Sequence, residues 1–313
     1  MNLFDSWQGL HHLGVTLIEL KRYNEALLIY NQILESEPNV YDALVFRGMA
    51  LQGLGNFEEA LIDFERAIAH SSHSPYIWYE RGITLFKLGK LQEALSSIDI
   101  AIEIHTDYLK ALLLRGIILF EQNKLEAALI SFEELTEMKP NYPKAWYEKG
   151  YTLSQLGKLE DAVICFEKAI KYEKNLYLAW YRKGIALLDL KKLDLALASF
   201  EKALEIEPHS PEALYRKADT LYSLGRLEDT IDTFKKVIEL EPQNCQFRNR
   251  LGTALGKSKR YEDAIVAFDK VIEIDSQNYA AHCFRGYALH KFGKNEDAIA
   301  AFENAIEINP IND

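Results

Sequence analysis

The sequence predicts an all-α solenoid of nine two-helix units, each 34 residues long, and three observations predict it. The first is a comb of small residues. Gly14, Gly48, Gly82, Gly116, Gly150, Gly184, Gly252 and Gly286 share a 34-residue spacing, and Ala218 fills the one remaining tooth. The second is a pair of further combs in the same register. Ala26, Ala60, Ala94, Ala128, Ala162, Ala196, Thr230, Ala264 and Ala298 follow twelve residues later. Tyr30, Phe64, Ile98, Phe132, Phe166, Phe200, Phe234, Phe268 and Phe302 come four beyond those. The third is that all eight prolines fall on two places in the unit. The units run 7–40, 41–74, 75–108, 109–142, 143–176, 177–210, 211–244, 245–278 and 279–312 with no insertion or deletion, which reads as one domain over 7–312.

Each element of the unit has its own signal. Apolar residues recur at spacings of three and four in two stretches per unit, the mark of two amphipathic helices, A and B. Pro75, Pro143 and Pro211 open helix A, where the missing N–H costs nothing. Near position 15 of the unit, Gly55, Gly89, Gly157, Gly225 and Gly293 can end helix A with positive φ. Small residues at positions 8 and 20 let helices A and B approach closely, and the aromatic at 24 fills space against the neighbouring unit. Pro38, Pro140, Pro208, Pro242 and Pro310 follow helix B. No unit can bury its apolar stripe alone, so the units must stack.

Two units depart from the pattern. The eighth has Arg248 where position 4 is usually bulky and apolar, Gly256 inside helix A and Ser276 in place of proline, which predicts a softer joint. The ninth has Asn295 where its siblings carry Tyr, Phe or Leu, and the sequence stops three residues after Pro310. Phe302, Ile306 and Ile308 then have no following unit to cover them. Either the native chain continues past Asp313, or this end meets another protein, a second copy included.

These positions resemble the tetratricopeptide repeat (TPR) family, whose pattern is bulky at 4, small at 8, Ala at 20, aromatic at 24, often Ala at 27 and Pro at 32. Residues 179–210 match best, with Trp180, Gly184, Ala196, Phe200, Ala203 and Pro208 in those places. The resemblance spans essentially the whole chain. It implies a right-handed superhelix with helix A lining the concave face, more than one superhelical turn long. It also allows one subtype to be tested. TPR modules that grip chaperone C-termini carry Lys at position 5 and Asn at 9 of one unit, and no unit here has that pair. Lys110 and Lys144 occupy position 2 without the partners the clamp needs.

Composition narrows the function classes. A chain of 313 residues with 48% hydrophobic content can bury a sizeable core. Its net charge of -11 argues against nucleic-acid and anionic-membrane partners. Three widely spaced cysteines (Cys165, Cys245, Cys283) make no disulfide framework and suit a reducing compartment. The start lacks the basic and apolar regions of a secretion signal. The most apolar stretch, 111–120, is ten residues with Arg115 inside it, too short for a bilayer. The expectation is a cytoplasmic protein.

Nothing in the sequence points to catalysis, a metal or a cofactor. His70 and His73 lie three apart at a helix end with no third ligand nearby, while His11–His12 and His282–Cys283 are adjacent and diverge on a helix. The acidic pairs Glu58–Glu59, Glu133–Glu134 and Glu262–Asp263 mostly suit the start of helix B, where they complement its dipole. No phosphate-binding glycine loop, G-x-S-x-G, H-E-x-x-H or paired C-x-x-C occurs. The chain reads as a non-enzyme.

If helix A lines the groove, positions 2, 5, 6, 9, 12 and 13 project into it. Charges over those positions cancel across the nine units, so the chain's acidity belongs to helix B and the outer side. Tyr79, Tyr147, Tyr151, Tyr181 and Tyr215 fall on positions 5 and 9, and such a neutral, apolar, tyrosine-rich concavity is suited to a partner. Arg182, Arg216 and Arg250 occupy position 6 of consecutive units as a ladder for an acidic segment or a terminal carboxylate. The alternative for these arginines is pairing with Asp189, Glu212 and Asp219. A second basic row at position 7, from Arg47 to Arg285, is expected to bury its stems between helices. The function expected is a non-catalytic scaffold that holds a peptide or helical segment of another protein in its groove. The alternatives are the TPR segment of a longer enzyme or sensor, and a module that self-assembles through Phe302, Ile306 and Ile308.

Overall fold

The structure is a computed structural model that describes the backbone of residues 3–310 and the side chains of 7–310. Every element among the described residues is an α-helix. Contacts group the chain into two compact halves, Met1–Leu156 and Gly157–Asp313, each described by itself below. The first half holds α1 (Leu3–Glu19), α2 (Tyr23–Ser36), α3 (Tyr41–Leu54), α4 (Phe57–His70), α5 (Pro75–Lys87), α6 (Leu91–Ile104), α7 (Leu109–Glu121), α8 (Leu125–Met138) and α9 (Pro143–Gln155). The second holds α10 (Leu159–Tyr172), α11 (Tyr177–Asp189), α12 (Leu193–Ile206), α13 (Pro211–Ser223), α14 (Leu227–Leu240), α15 (Cys245–Lys257), α16 (Tyr261–Ile274), α17 (Tyr279–Phe292) and α18 (Asn295–Ile308). Odd-numbered helices are the A helices of the 34-residue units and even-numbered ones the B helices. The last two residues of the ninth unit, Ile311 and Asn312, lie outside the described residues.

The turn between A and B is the same in all nine units. Position 15 adopts the left-handed conformation every time, through the five predicted glycines, Gly55, Gly89, Gly157, Gly225 and Gly293, and elsewhere through Lys21, Asn123, Lys191 and Lys259 at φ of 58–63°. The missing glycines therefore change the side chain and leave the turn alone, at the modest strain an L-residue carries there. The three predicted helix-opening prolines sit at the starts of α5, α9 and α13.

Packing inside a unit is tighter than the pattern suggested. The aromatic at position 24 does more than fill space against a neighbour, because its ring lies on the position-8 glycine of its own unit. A Cβ built on Gly184 would stand 2.6 Å from Phe200, one on Gly48 2.8 Å from Phe64, and one on Gly252 2.6 Å from Phe268. The same contact joins Gly82 to Ile98 in the third unit, so a branched aliphatic can take the ring's place. From Tyr30 to Phe268 the position-24 side chains are at most 2% exposed, and the position-20 residues are likewise buried. Thr230, the exception at position 20, satisfies its buried hydroxyl by donating to the Arg226 carbonyl at 2.8 Å.

Units are joined by a second recurring device. The side chain at position 4 donates to the backbone carbonyl at position 32 of the preceding unit: Trp78 to Ser72 (2.9 Å), Trp146 to Pro140 (2.7 Å) and Trp180 to Lys174 (2.9 Å). In the eighth unit Arg248 makes this bond to Pro242 through Nε and a terminal nitrogen, at 3.2 and 3.0 Å, and in the ninth His282 Nε2 makes it to Ser276 at 3.1 Å. The apolar volume that Arg248 lacks is supplied one residue earlier by the buried Phe247. The eighth joint, expected to be soft, thus keeps its strap by different chemistry.

The glycine–ring contact predicts a graded response to substitution. Position 8 of the seventh unit is Ala218, buried like Phe234 at position 24, so Gly184→Ala should leave stability within about 1 kcal/mol, the extra methyl opposing the gain in helix propensity. Gly184→Val should cost about 1–3 kcal/mol by overpacking against Phe200. Thermal melts of the two variants decide it; an unshifted valine variant would mean the ring yields freely.

Candidate functional site

In both halves the A helices crowd together. α1 touches α3, α3 touches α5, α5 touches α7 and α7 touches α9 in the first half; α11 touches α13 and α15 touches α17 in the second. Such contacts recur among A helices and not among B helices, which makes the helix-A side the inner face of each half. Of the positions named from the sequence, Val45, Leu113 and Glu80 are buried, while the tyrosines at positions 5 and 9 keep part of their surface open.

In the first half this face is aromatic with buried carboxyls. Tyr79 packs on Tyr108 with ring centroids 5.0 Å apart, Tyr147 stacks on Tyr151 at 6.3 Å, and Tyr151 meets Phe120 at 5.1 Å. All three tyrosines are half-buried, each ring leaning on another and part of each still facing solvent. Glu80, at position 6, is only 8% exposed. Burial pushes its carboxyl up to about 7, opposed by the nearby polar side chains of Tyr76 and Gln52 and the charge of Lys110. Gln52 also bridges α3 to α5 by donating to the Glu80 carbonyl at 3.0 Å and to the Thr84 hydroxyl at 2.7 Å. Glu148, the position-6 residue of α9, is raised by burial too, with Lys144 opposing.

In the second half position 6 turns basic. Arg182 and Arg216 are half-buried and Arg250 is exposed. The Arg216 guanidinium lies 5.9 Å from the Tyr215 ring centroid. Arg250 reaches Asp219 at 3.5 Å, one of the three pairings weighed from the sequence. Both side chains stay partly exposed, so the pair is screened and Arg250 keeps donors facing outward. Tyr181 stacks on Tyr177 at 5.8 Å, and the two line a cavity of about 540 Å³ with Pro208, Ser210 and Pro211. Tyr215 packs on Phe247 at 5.5 Å, and its hydroxyl accepts a hydrogen bond from Gln246 at 3.1 Å. Each named tyrosine is therefore half packed and half presented.

The basic row at position 7 has a structural duty, as its buried stems implied. Arg81 pairs with Glu65, Lys149 with Glu133, Lys183 with Glu167, Lys217 with Glu201 and Arg285 with Asp269, each reaching position 25 of the unit before. Arg81, Lys149 and Lys183 also lie 5.5–5.9 Å over the position-4 tryptophans Trp78, Trp146 and Trp180. Arg47 is held by both oxygens of the buried Asp63 at 2.6 and 2.7 Å.

One feature of the inner face escaped the sequence reading. Around Gly256 of α15, a cavity of about 510 Å³ is lined by Tyr222, Thr253, Lys257, Cys283, Phe284 and Tyr287 among others. The signal was present: position 12 carries Phe86, Phe120, Leu188 and Tyr222 in four of the other units and a smaller or more polar residue in others, and here it has no side chain. The outer side is also less uniformly polar than expected, since Leu28, Ile62 and Ile130 on helices B of the first half are 57–68% exposed. Among the described residues no group of His, Cys, Asp or Glu side chains is placed to hold a metal ion. No helix there is long and apolar enough to cross a membrane.

Comparison with family models gives the same register. A model for the tetratricopeptide repeat matches 143–176 and 177–210, and a second one matches 12–75, 47–108, 79–143 and 249–312, together well over half of the chain. The chain belongs to the tetratricopeptide repeat family. A model for the anaphase-promoting complex (cyclosome) subunit 3 matches 195–271, about a quarter of this TPR chain. None of the curated proteins matches the sequence. Among solved structures, MamA from Desulfovibrio magneticus RS-1 is 27% identical, covering 55% of this chain and 97% of its own, with a TM-score of 0.52. The C-terminal part of a TPR repeat-containing protein from Cytophaga hutchinsonii has a TM-score of 0.64 at 18% identity, over 77% of this chain and 99% of its own. YrrB, described as a TPR protein with an unusual peptide-binding site, has a TM-score of 0.52 at 22% identity, over 58% and 93%. The last two likenesses concern the fold. TPR repeats span the chain, and this fold suits a protein-interaction scaffold.

Buried Glu80 gives this face a pH signature. Its folded pKa near 7 lies above the ordinary 4.5, so between those values the unfolded chain releases the proton while the folded chain keeps it. Stability must therefore fall as pH rises through that window, and the loss is complete above it. Glu80→Gln should be more stable than the wild type by about 1–3 kcal/mol above pH ~7.5, the gap closing towards pH ~4.5. Melting curves of both proteins across that range test it, and a gap independent of pH would contradict the buried-carboxyl account.

Proposed function

We propose that the protein is a non-catalytic scaffold whose inner, helix-A face holds a peptide or helical segment of another protein. The observation that carries this reading is the half-packed, half-presented state of the inner-face aromatics. A row of rings fixed by neighbours and still partly open offers rigid contact area at little entropic cost on binding. In the first half the contact residues are Tyr79, Tyr147 and Tyr151; in the second they are Tyr181, Arg182, Tyr215, Arg216 and Arg250. The arginines favour a segment with acidic character, and the span 7–312 is taken as one array of repeats.

The test is capture of a partner from the source cell by the wild type and by Tyr181→Ala/Arg216→Ala. Loss of at least tenfold in apparent affinity, equal to about 1.4 kcal/mol, is expected while circular dichroism stays helical. Undiminished capture by the folded double variant would remove these residues from the site.

Self-association through the ninth repeat is the second reading, and one observation favours it. Phe302 is 38% exposed and Ile306 55% exposed, although the position-24 side chains from Tyr30 to Phe268 are at most 2% exposed. Light scattering over a concentration series should then show mass growth that Ile306→Glu abolishes. A concentration-independent monomer mass for the wild type would end that reading.

A further inference from the structure

The hollow at Gly256 lies on the face proposed for partner binding, and its chemistry is narrower than that of the face as a whole. Gly256 is a helical glycine with no structural reason to be one. A Cβ added there meets nothing within 4 Å, unlike the position-8 glycines that press on rings. It disfavours the helix it sits in, and its effect is to leave the groove empty where the third, fourth and seventh repeats place Phe or Tyr.

The walls of that space are specific. Phe284 and Tyr287 of α17 are 45% and 54% exposed, so two large rings border it with substantial free surface. Tyr222 of α13 forms the opposite side, and the Lys257 ammonium is held 4.3 Å over its ring. A neighbouring cavity of about 460 Å³ shares Thr253 and Phe284 and adds Gln246, Asn249 and Arg250. α13 and α15 meet less closely than the contacting A helices of this half, and long side chains span the gap: Gln246 to Tyr215, Arg250 to Asp219 and Lys257 to Tyr222.

Charge decides what such a trough accepts. Over the inner-face positions of the three repeats that form the trough, Arg216, Arg250, Lys257 and Lys291 outnumber Glu212 and Asp219, and both carboxylates lie on α13. Neither cavity has a carboxylate in its lining. This stands in a chain whose net charge is -11, so the local excess of positive charge marks one place on an otherwise acidic molecule. An aromatic or long aliphatic side chain would fill the Gly256 hollow against Phe284 and Tyr287. Carboxylates flanking it would meet Lys257, Lys291 and Arg250, and the Asn249 side-chain oxygen, buried without a hydrogen-bond partner, would accept from a peptide N–H.

We infer that the trough formed by α13, α15 and α17 is a docking site for an acidic polypeptide segment anchored by one aromatic or long aliphatic side chain in the space left by Gly256. The inference rests on the inner-face reading above and narrows it to three repeats and one partner chemistry.

A random dodecapeptide library displayed on phage, panned on the full chain, tests it. Selected peptides should carry an aromatic or long aliphatic residue with Asp or Glu within two positions. The soluble peptides should bind the wild type at least tenfold more tightly than Gly256→Leu, which fills the hollow, and Lys257→Glu, which reverses the charge. Gly256→Leu should melt no lower than the wild type, because the added side chain enters open space in a helix. Gly256→Ala serves as the milder filling variant should the leucine variant misfold. Selected peptides without acidic residues, no selected motif at all, or equal binding by the folded variants would overturn the inference. Peptides lost by Tyr181→Ala/Arg216→Ala and kept by Gly256→Leu would overturn it while leaving the inner-face function standing. Peptides that neither variant affects would end both.

Discussion

Where the Phe200 ring lies against the backbone of α11 at Gly184, two helices are locked at a distance that leaves room for glycine and little more. That contact recurs through both halves and fixes how close helix A stands to helix B. Once it is fixed, the residues at positions 8, 20 and 24 vary little, and most of what distinguishes one repeat from another is written elsewhere. The A–B turn follows the same logic, since position 15 keeps its left-handed backbone whether glycine, lysine or asparagine stands there. Geometry is held constant and composition varies around it.

The strap between repeats shows how far that variation can go without cost to the geometry. A tryptophan N–H, an arginine guanidinium and a histidine Nε2 all reach the same backbone carbonyl of the repeat before. What the joint requires is a donor of the right reach together with apolar volume beside it. In the eighth repeat those two duties are divided between Arg248 and Phe247. The ion pairs from position 7 to position 25 run across the same joints. Each is partly exposed and contributes little alone, so they serve more to align neighbours than to stabilise them.

Sequence legibility follows from this division. The helix pairs, their boundaries and the buried combs were readable because the constraint repeats at a fixed interval, and the inner-face tyrosines were readable once helix A was placed inside. Three features were not. The strap made by Arg248 looked like a lapse, because a pattern reader scores residue type and the joint scores a hydrogen bond. The ring at position 24 packs against the neighbouring repeat, as its periodicity implies, and also lies on the glycine of its own repeat, a partnership that spacing alone does not reveal. The hollow at Gly256 was read as weakness, because an absent side chain registers as lost helix propensity until the walls around the space are seen.

The inner face then divides by charge in a way that bears on binding. In the first half, burial raises both Glu80 and Glu148, and Glu80, pushed up to about 7, carries less than a full negative charge near neutrality. Arg216, Arg250, Lys257 and Lys291 in the second half are at least partly open to solvent. A carboxylate moved from water to the first half would find groups that already resist ionisation; moved to the second, it would find cations seated over aromatic rings, where Lys257 lies on Tyr222 and Lys291 on Tyr287. The ring holds the ammonium in place without neutralising it, because a π-face attracts a cation and leaves its formal charge available. On the proposed reading, partner selectivity is set less by the repeat fold, which is shared throughout, than by which repeats keep their charges solvated and which bury them.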